Sequence, residues 1–117
     1  MPAIGFVLPL LPGKADVDRA AMVSCWHGER RAAYEDSRRR AGITREAVWI
    51  QPGPTGDVVV VYMEADDLEA AFKMVASSEE PFDRWFRDHV REVHGIALEE
   101  GLAPPEQILD FRPGVPS

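Results

Sequence analysis

In the stretch SSEEPFDRWFRDHVREVHG, Phe82, Trp85, Phe86, His89, Val90 and Val93 recur at steps of three and four. That spacing lines one side of a helix and turns it toward a core, so His89 stands where Leu or Ile would ordinarily sit. Imidazole is the natural proton carrier near neutral pH. Trp85 and Phe86, joined by Tyr62 or Trp49, would frame an apolar cavity around it, the usual form of a small-molecule site. The same pattern describes a core histidine donating to a backbone carbonyl, and both readings stand at this level.

A second group lies on a helix expected from Asp16 to Ala41 and closed by Gly42. Projected at about 100° per residue, its core face carries Val17, Ala21, Ser24, Cys25, Gly28 and Ala32. That face continues into Arg31, Glu35 and Arg39, with His27, Tyr34 and Arg38 on one flank. Arg31 and Glu35 are four apart and can pair, whereas guanidinium forks also suit carboxylates and phosphates. Arg31, Tyr34, Glu35 and Arg38 are thus either an ion-pair network or a wall that orients an anionic or phenolic ligand. His27 reads as a half-exposed flank residue beside that wall. Trp26 and Met22 lie opposite the core face, where apolar bulk covers a tail or a partner.

Other chemistries find little support. His89 and His94 are five apart and diverge by about 140° on a helix, unlike the i, i+4 pair of a zinc protease. A site built from His27, His89 and Glu35 would have to span two helices, so no metal and no cofactor is expected. His94, beside Gly95, reads as a helix C-terminal residue favoured by the dipole. Cys25 is the only cysteine, which excludes an internal disulfide and cysteine-based zinc knuckles, and it faces the core as an inert thiol. There is no glycine-rich phosphate loop and no nucleophile elbow.

The chain has 117 residues, is 45% hydrophobic and 28% charged, and carries a net charge of -7. It has room for one domain with one core, taken as residues 1–112 with a frayed tail at 113–117. The acidic balance and the absence of exposed aromatic–basic patterns argue against nucleic-acid and anionic-membrane partners. The apolar run Ile4–Leu11 is too short to span a bilayer and lacks a basic flank. With one cysteine and no leader pattern, a reducing cytoplasm is the expected setting.

The elements that must position these residues follow from periodicity and breakers. Strands are expected at Ala3–Leu11, Ala47–Gln51, Val58–Glu64 and Gln107–Phe111, with Pro9 an awkward member of the first. After the Asp16–Ala41 helix, two shorter helices follow, one with an Asp66/Glu69 capping box and one capped by Ser78 with Pro81 in its first turn. The order βαββαβ is the ferredoxin-like arrangement, an α+β fold with a four-stranded antiparallel sheet and its helices on one face. Val58, Val60 and Tyr62 share one face of the third strand, and Val59, Val61 and Met63 share the other. A strand apolar on both faces must be covered on both. The helices cover one, and a second copy packed sheet on sheet is the expected cover for the other.

The stretches GERRAAYEDSRRRAGI (Gly28–Ile43), EAVWIQPGPTGDVVVVYMEADD (Glu46–Asp67) and SSEEPFDRWFRDHVREVHGI (Ser77–Ile96) carry a resemblance as well. The chain resembles the dimeric α/β-barrel superfamily, which includes small antibiotic-biosynthesis monooxygenases, muconolactone isomerases and stress-responsive barrels. More closely, it is similar to a bacterial family of this length without an assigned function. The resemblance implies a homodimeric barrel with its cavity between helices and sheet, hence a helix-borne His89 suitably placed. It also implies cofactor-independent chemistry on a small organic molecule, such as isomerisation or oxygenation. A non-catalytic ligand-binding dimer is the rival, and a haem- or metal-binding barrel a third reading, because some relatives bind haem.

Overall fold

A computed structural model describes residues 2–114. Three strands and four helices follow in the order β1 (Ala3–Pro9), α1 (Ala15–Trp26), α2 (Arg31–Ala41), β2 (Ile43–Gln51), β3 (Val58–Ala65), α3 (Leu68–Ser77) and α4 (Pro81–His94). The sheet is antiparallel with β3 in the centre, flanked by β1 and β2. This α+β architecture is compatible with a ferredoxin-like fold. No helix among the described residues is long and apolar enough to cross a membrane.

The two faces of β3 separate as alternation requires. Val59, Val61, Met63 and Ala65 are buried, and Ile43, Ala71, Val75 and Val93 complete the core between sheet and helices. Val58, Val60 and Tyr62 point to the other face and are half-buried, with Val7 and Trp49 beside them at 60% and 53% exposure. The register aligns Val7, Val60 and Trp49 across the three strands, so this apolar strip is continuous and uncovered.

Pro9 is accommodated by its place in the ladder. Leu10 N–H donates to Asp57 O at 3.0 Å and Ala65 N–H to Pro2 O at 3.1 Å. These bonds direct the even-numbered residues of β1 toward β3. An amide at position 9 would point off the free edge, where none is needed.

The expected helix from Asp16 to Ala41 is two helices. The chain breaks at 27–30, and the backbone there lies so close that a Cβ on Gly28 would sit 2.7 Å from Ser24 Cα. Arg30 N–H donates to Ser24 O, and the Arg30 guanidinium to Ser24 Oγ at 3.0 Å, which holds the break. The break resets the helical phase. On α1 the inward residues are Asp18, Ala21 and Cys25, with Val17 40% exposed. On α2 they are Tyr34, Ser37, Arg38 and Ala41, while Ala32 and Arg39 face out.

The caps shift slightly. Lys14 rather than Asp16 precedes α1. Asp67 rather than Asp66 caps α3, accepting from Ala70 N–H at 3.0 Å. Glu80 precedes Pro81 at the start of α4, and Ser78 instead donates to Asp83 Oδ2 at 2.6 Å. Asp83 is fully buried, also accepts from Ser37, and receives the Arg40 guanidinium at 2.9 Å, so one carboxylate ties α2 to α4. Burial raises its pKa, but the bonds from Ser37, Ser78 and Arg40 outweigh that and hold it below the ordinary carboxylate value.

The expected fourth strand is not paired. Gln107–Phe111 is exposed and joins no sheet among the described residues; the chain borders the cavity up to Pro105, and Pro104 and Pro105, with no amide to donate to a ladder, precede the segment. Of the tail at 113–117, residues 115–117 lie outside the described residues.

Candidate functional site

A cavity of about 1200 Å³ lies between the helix-facing side of the sheet and the helices. Phe6, Leu8, Val59, Val61, Met63, Phe72 and Val90 supply its apolar wall. Among the polar residues that interrupt that wall are Asp18, Tyr34, Arg38, Glu46, His89 and His94, with Arg31, Glu35, Glu69 and Lys73 also on the lining.

His89 projects from the middle of α4 and Asp18 from the first turns of α1. Their contact, His89 Nε2 to Asp18 Oδ1, is 2.7 Å, and both side chains are buried. An ionised carboxylate only accepts, so Nε2 carries a proton, and in the neutral ring the lone pair is then on Nδ1. No buried side-chain nitrogen or oxygen among the described residues lacks a partner. Nδ1 makes no hydrogen bond to the protein, and His89 is among the residues that line the cavity. Trp85 stacks on the ring at 5.4 Å and 14°, and Arg30 lies 4.1 Å from the indole centroid. Aspartate below and indole alongside fix both tautomer and ring plane.

His94 ends the same helix. Its Nδ1–H donates to Pro9 O at 2.8 Å, the carbonyl directed off the β1 edge. In the neutral ring the lone pair is then on Nε2, and His94 also lines the cavity. Burial lowers its pKa below the ordinary 6.5, against the pull of the Pro9 carbonyl and nearby Asp18, so the neutral form is favoured.

On the α2 side, a bulge between Ile43 and Arg45 shifts the register of β2. Ile43 faces the core before it and Glu46 after it, which aims the Glu46 carboxylate at α2. Arg38 Nε donates to Glu46 Oε1 at 2.9 Å and Tyr34 OH donates to the same oxygen at 2.6 Å. Arg38 also donates to Ser37 Oγ and lies over the Tyr34 and Phe86 rings at 4.9 and 4.5 Å. Burial pulls the Arg38 pKa down, but Glu46 and Tyr34 raise it further, and the guanidinium stays charged. Burial and the adjacent Glu46 push the Tyr34 phenol well above its usual value.

The remaining candidates divide. Phe86 and Trp85 belong to the helix-side cluster, stacking with Phe82 and His89 respectively. Arg31 and Glu35 border the cavity as an exposed pair at 2.8 Å. Tyr62 is not brought to the cavity: it lies on the uncovered sheet face, where its hydroxyl donates to Glu64. Trp49 projects to that same face and borders the cavity only at the open β2 edge. His27 is exposed at the helix break and stacks on Trp26 at 4.4 Å. Cys25 lines the wall, its thiol pKa raised by burial.

Asp18, Glu46 and His94 were not legible as site residues. Asp18 resembles an ordinary first-turn acid, and Glu46 depends on a bulge that no local signal announces. His94 shares a turn with a C-terminal Gly, which explains it locally without the cavity. Among the described residues, no three His, Cys, Asp or Glu side chains converge to hold a metal ion.

Compared with protein-family models, with curated proteins and with solved structures, the chain matches none.

Proposed function

We propose that this protein removes a proton from a small, neutral, largely apolar molecule bound between sheet and helices, without a cofactor. The observation that carries this reading is the buried Asp18–His89 pair, with Nδ1 of the cavity-lining His89 making no hydrogen bond to the protein. In the step, the bond between the proton and its carbon or oxygen breaks, Nδ1 takes the proton, and the electron pair stays on the substrate as an enolate or phenolate. Asp18 positions the ring through Nε2–H and stabilises the imidazolium that forms. Trp85 and Phe86 set the apolar surroundings.

A neutral ligand is favoured because the cations on the cavity wall are already matched. Arg38 pairs with Glu46, Arg31 with Glu35 and Lys73 with Glu69. The same matching supports a second reading, a small-ligand-binding protein without turnover, in which Tyr34, Arg38 and Glu46 are a stability network. In both, a second copy covers the uncovered sheet face, as in the dimeric α/β barrels that the sequence resembles.

The test is deuterium uptake in D2O by a panel of aryl methyl ketones, whose carbon acids exchange slowly unaided. Wild-type protein is expected to accelerate uptake, and His89→Gln to fold normally and bind the same ketones without acceleration. Binding with no acceleration by the wild type supports the non-catalytic reading. No binding and no acceleration overturns both.

A further inference from the structure

We propose that residues Gln107–Phe111 of one copy add to the β1 edge of a second copy as its fourth strand, each arm closing its partner's cavity. This rests on the dimer reading above and extends it from the sheet faces to the sheet edge.

The edge is prepared for a strand. The ladder turns Ala3, Gly5 and Val7 outward, so their amides and carbonyls face away from β3. Pro9 ends the row, with its carbonyl given to His94. Exposed edges are ordinarily blunted by charge, bulge or a covering loop. β1 has no charged residue and no bulge over Ala-Ile-Gly-Phe-Val-Leu-Pro. An uncharged edge of this kind would pair indiscriminately unless it has a dedicated partner.

The arm is prepared for an edge. Ile108, Leu109 and Phe111 are 87%, 82% and 79% exposed, a cost that an arm with no partner would gain nothing from. Alternation puts Leu109 and Phe111 on one face, suited to cover the cavity beside Phe6, and Ile108 on the other, beside Val7. Asp110 pairs with Arg112 inside the arm, which keeps its charge matched. The arm's own body does not hold its distal part: Gly101–Pro105 still border their own chain's cavity, but Glu106–Arg112 border none of it and are exposed, although the same chain's β1 edge is free. Pro104 and Pro105 keep it extended outward, as a reach to another subunit requires. Three large side chains at this exposure offer on the order of 400 Å². Two arms with the surfaces they cover come to roughly 1,600 Å², the size of a specific interface. A twofold axis closes the exchange, since each copy supplies one arm and one edge.

The test uses the full chain with benzoylphenylalanine at position 111, assembled from mixed ¹⁴N- and ¹⁵N-labelled copies. After illumination, mass spectrometry is expected to find position 111 joined to Ala3–Pro9 in mixed-isotope peptides. Sedimentation is expected to show a dimer that Leu109→Glu with Phe111→Glu weakens at least tenfold. Both residues are exposed in the single chain, so the variant folds as the wild type does. Crosslinks confined to one isotope, or a dimer whose affinity the charged arm leaves unmoved, overturn the exchange and leave the sheet-face dimer standing. A monomeric wild type overturns both.

Discussion

Asp18 and His89 are 71 residues apart in sequence and meet at 2.7 Å across the contact of α1 with α4. The pair joins the first helix to the last and leaves the other imidazole nitrogen without a protein hydrogen bond, in a residue that lines the cavity. Replacing the carboxylate by an amide keeps the shape but lets the ring choose its tautomer. Asp18→Asn is expected to destabilise the fold by about 1–3 kcal/mol, the usual range for a compromised buried hydrogen bond. ¹⁵N spectra of the histidine rings should show His89 losing its single Nε2–H tautomer, and an unchanged spectrum would remove Asp18 from the site.

His94 makes stability depend on pH. Its folded-state pKa is depressed below 6.5 by burial, so the unfolded chain binds the proton first as pH falls. Stability therefore rises with pH between the depressed value and 6.5, and declines on acidification through that window. Urea melts at pH 7.5 and 5.5 should show a lower midpoint at the acid end. His94→Gln, which keeps a donor for the Pro9 carbonyl, should flatten much of that difference.

Asp83 holds its pair of helices through three donors at once, and it is fully buried. Asp83→Ala strands Ser37 and the half-shielded Arg40 together, and a loss of about 2–3 kcal/mol is expected by thermal melting. With the native pKa held down, the stabilisation is present above the ordinary carboxylate range near 3.8 and is lost as pH falls through the lower folded value. Acid unfolding of the alanine variant should begin from a lower plateau but lose this component of its slope.

The break between α1 and α2 depends on a missing side chain. Gly28→Ala places a methyl 2.7 Å from Ser24 Cα, a backbone atom that cannot swing aside. A cost of about 1–3 kcal/mol is expected, typical of overpacking. Because the break sets the phase of α2, amide shifts at Ser37 and Arg38 should move with those at Gly28. A variant as stable as wild type would show that the break is not sterically held.

Tyr34 and Arg38 converge on one oxygen of Glu46. Tyr34→Phe removes the hydroxyl and leaves the ion pair, so about 1 kcal/mol should be lost. Arg38→Met strands a buried carboxylate and should cost more, about 3–5 kcal/mol. Equal losses in chemical denaturation would mean that the phenol, not the charge, holds β2 to α2.

Periodicity alone located the three paired strands and the helical face of α4, because each depends on residues within a few positions of one another, but it also marked Gln107–Phe111, which pairs with no strand. Phe82, His89, Val90 and Val93 are buried as their spacing requires, and the two faces of β3 alternate as the valines do. Local signals could not place the helix break. Gly28 is one glycine in a favourable helical run, and its consequence is a rotation that exchanges Arg39 for Arg38 as the buried cation. Nor could they place Glu46, which depends on where a bulge falls in the pairing of β2 with β3.

His89 as a candidate was visible in the sequence, and its partner was not. A histidine on an apolar face shows that a buried polar group needs satisfying, but many acids in a short chain are able to satisfy it. Only the packing of α1 against α4 selects Asp18, and only the sheet edge supplies the Pro9 carbonyl to His94. In β3 and α4 the sequence by itself determined which residues must leave water, because burial there follows apolar spacing within an element. The tertiary structure decided which polar groups meet there, because a hydrogen bond at 2.7 Å depends on helix phase and register that distant segments set together.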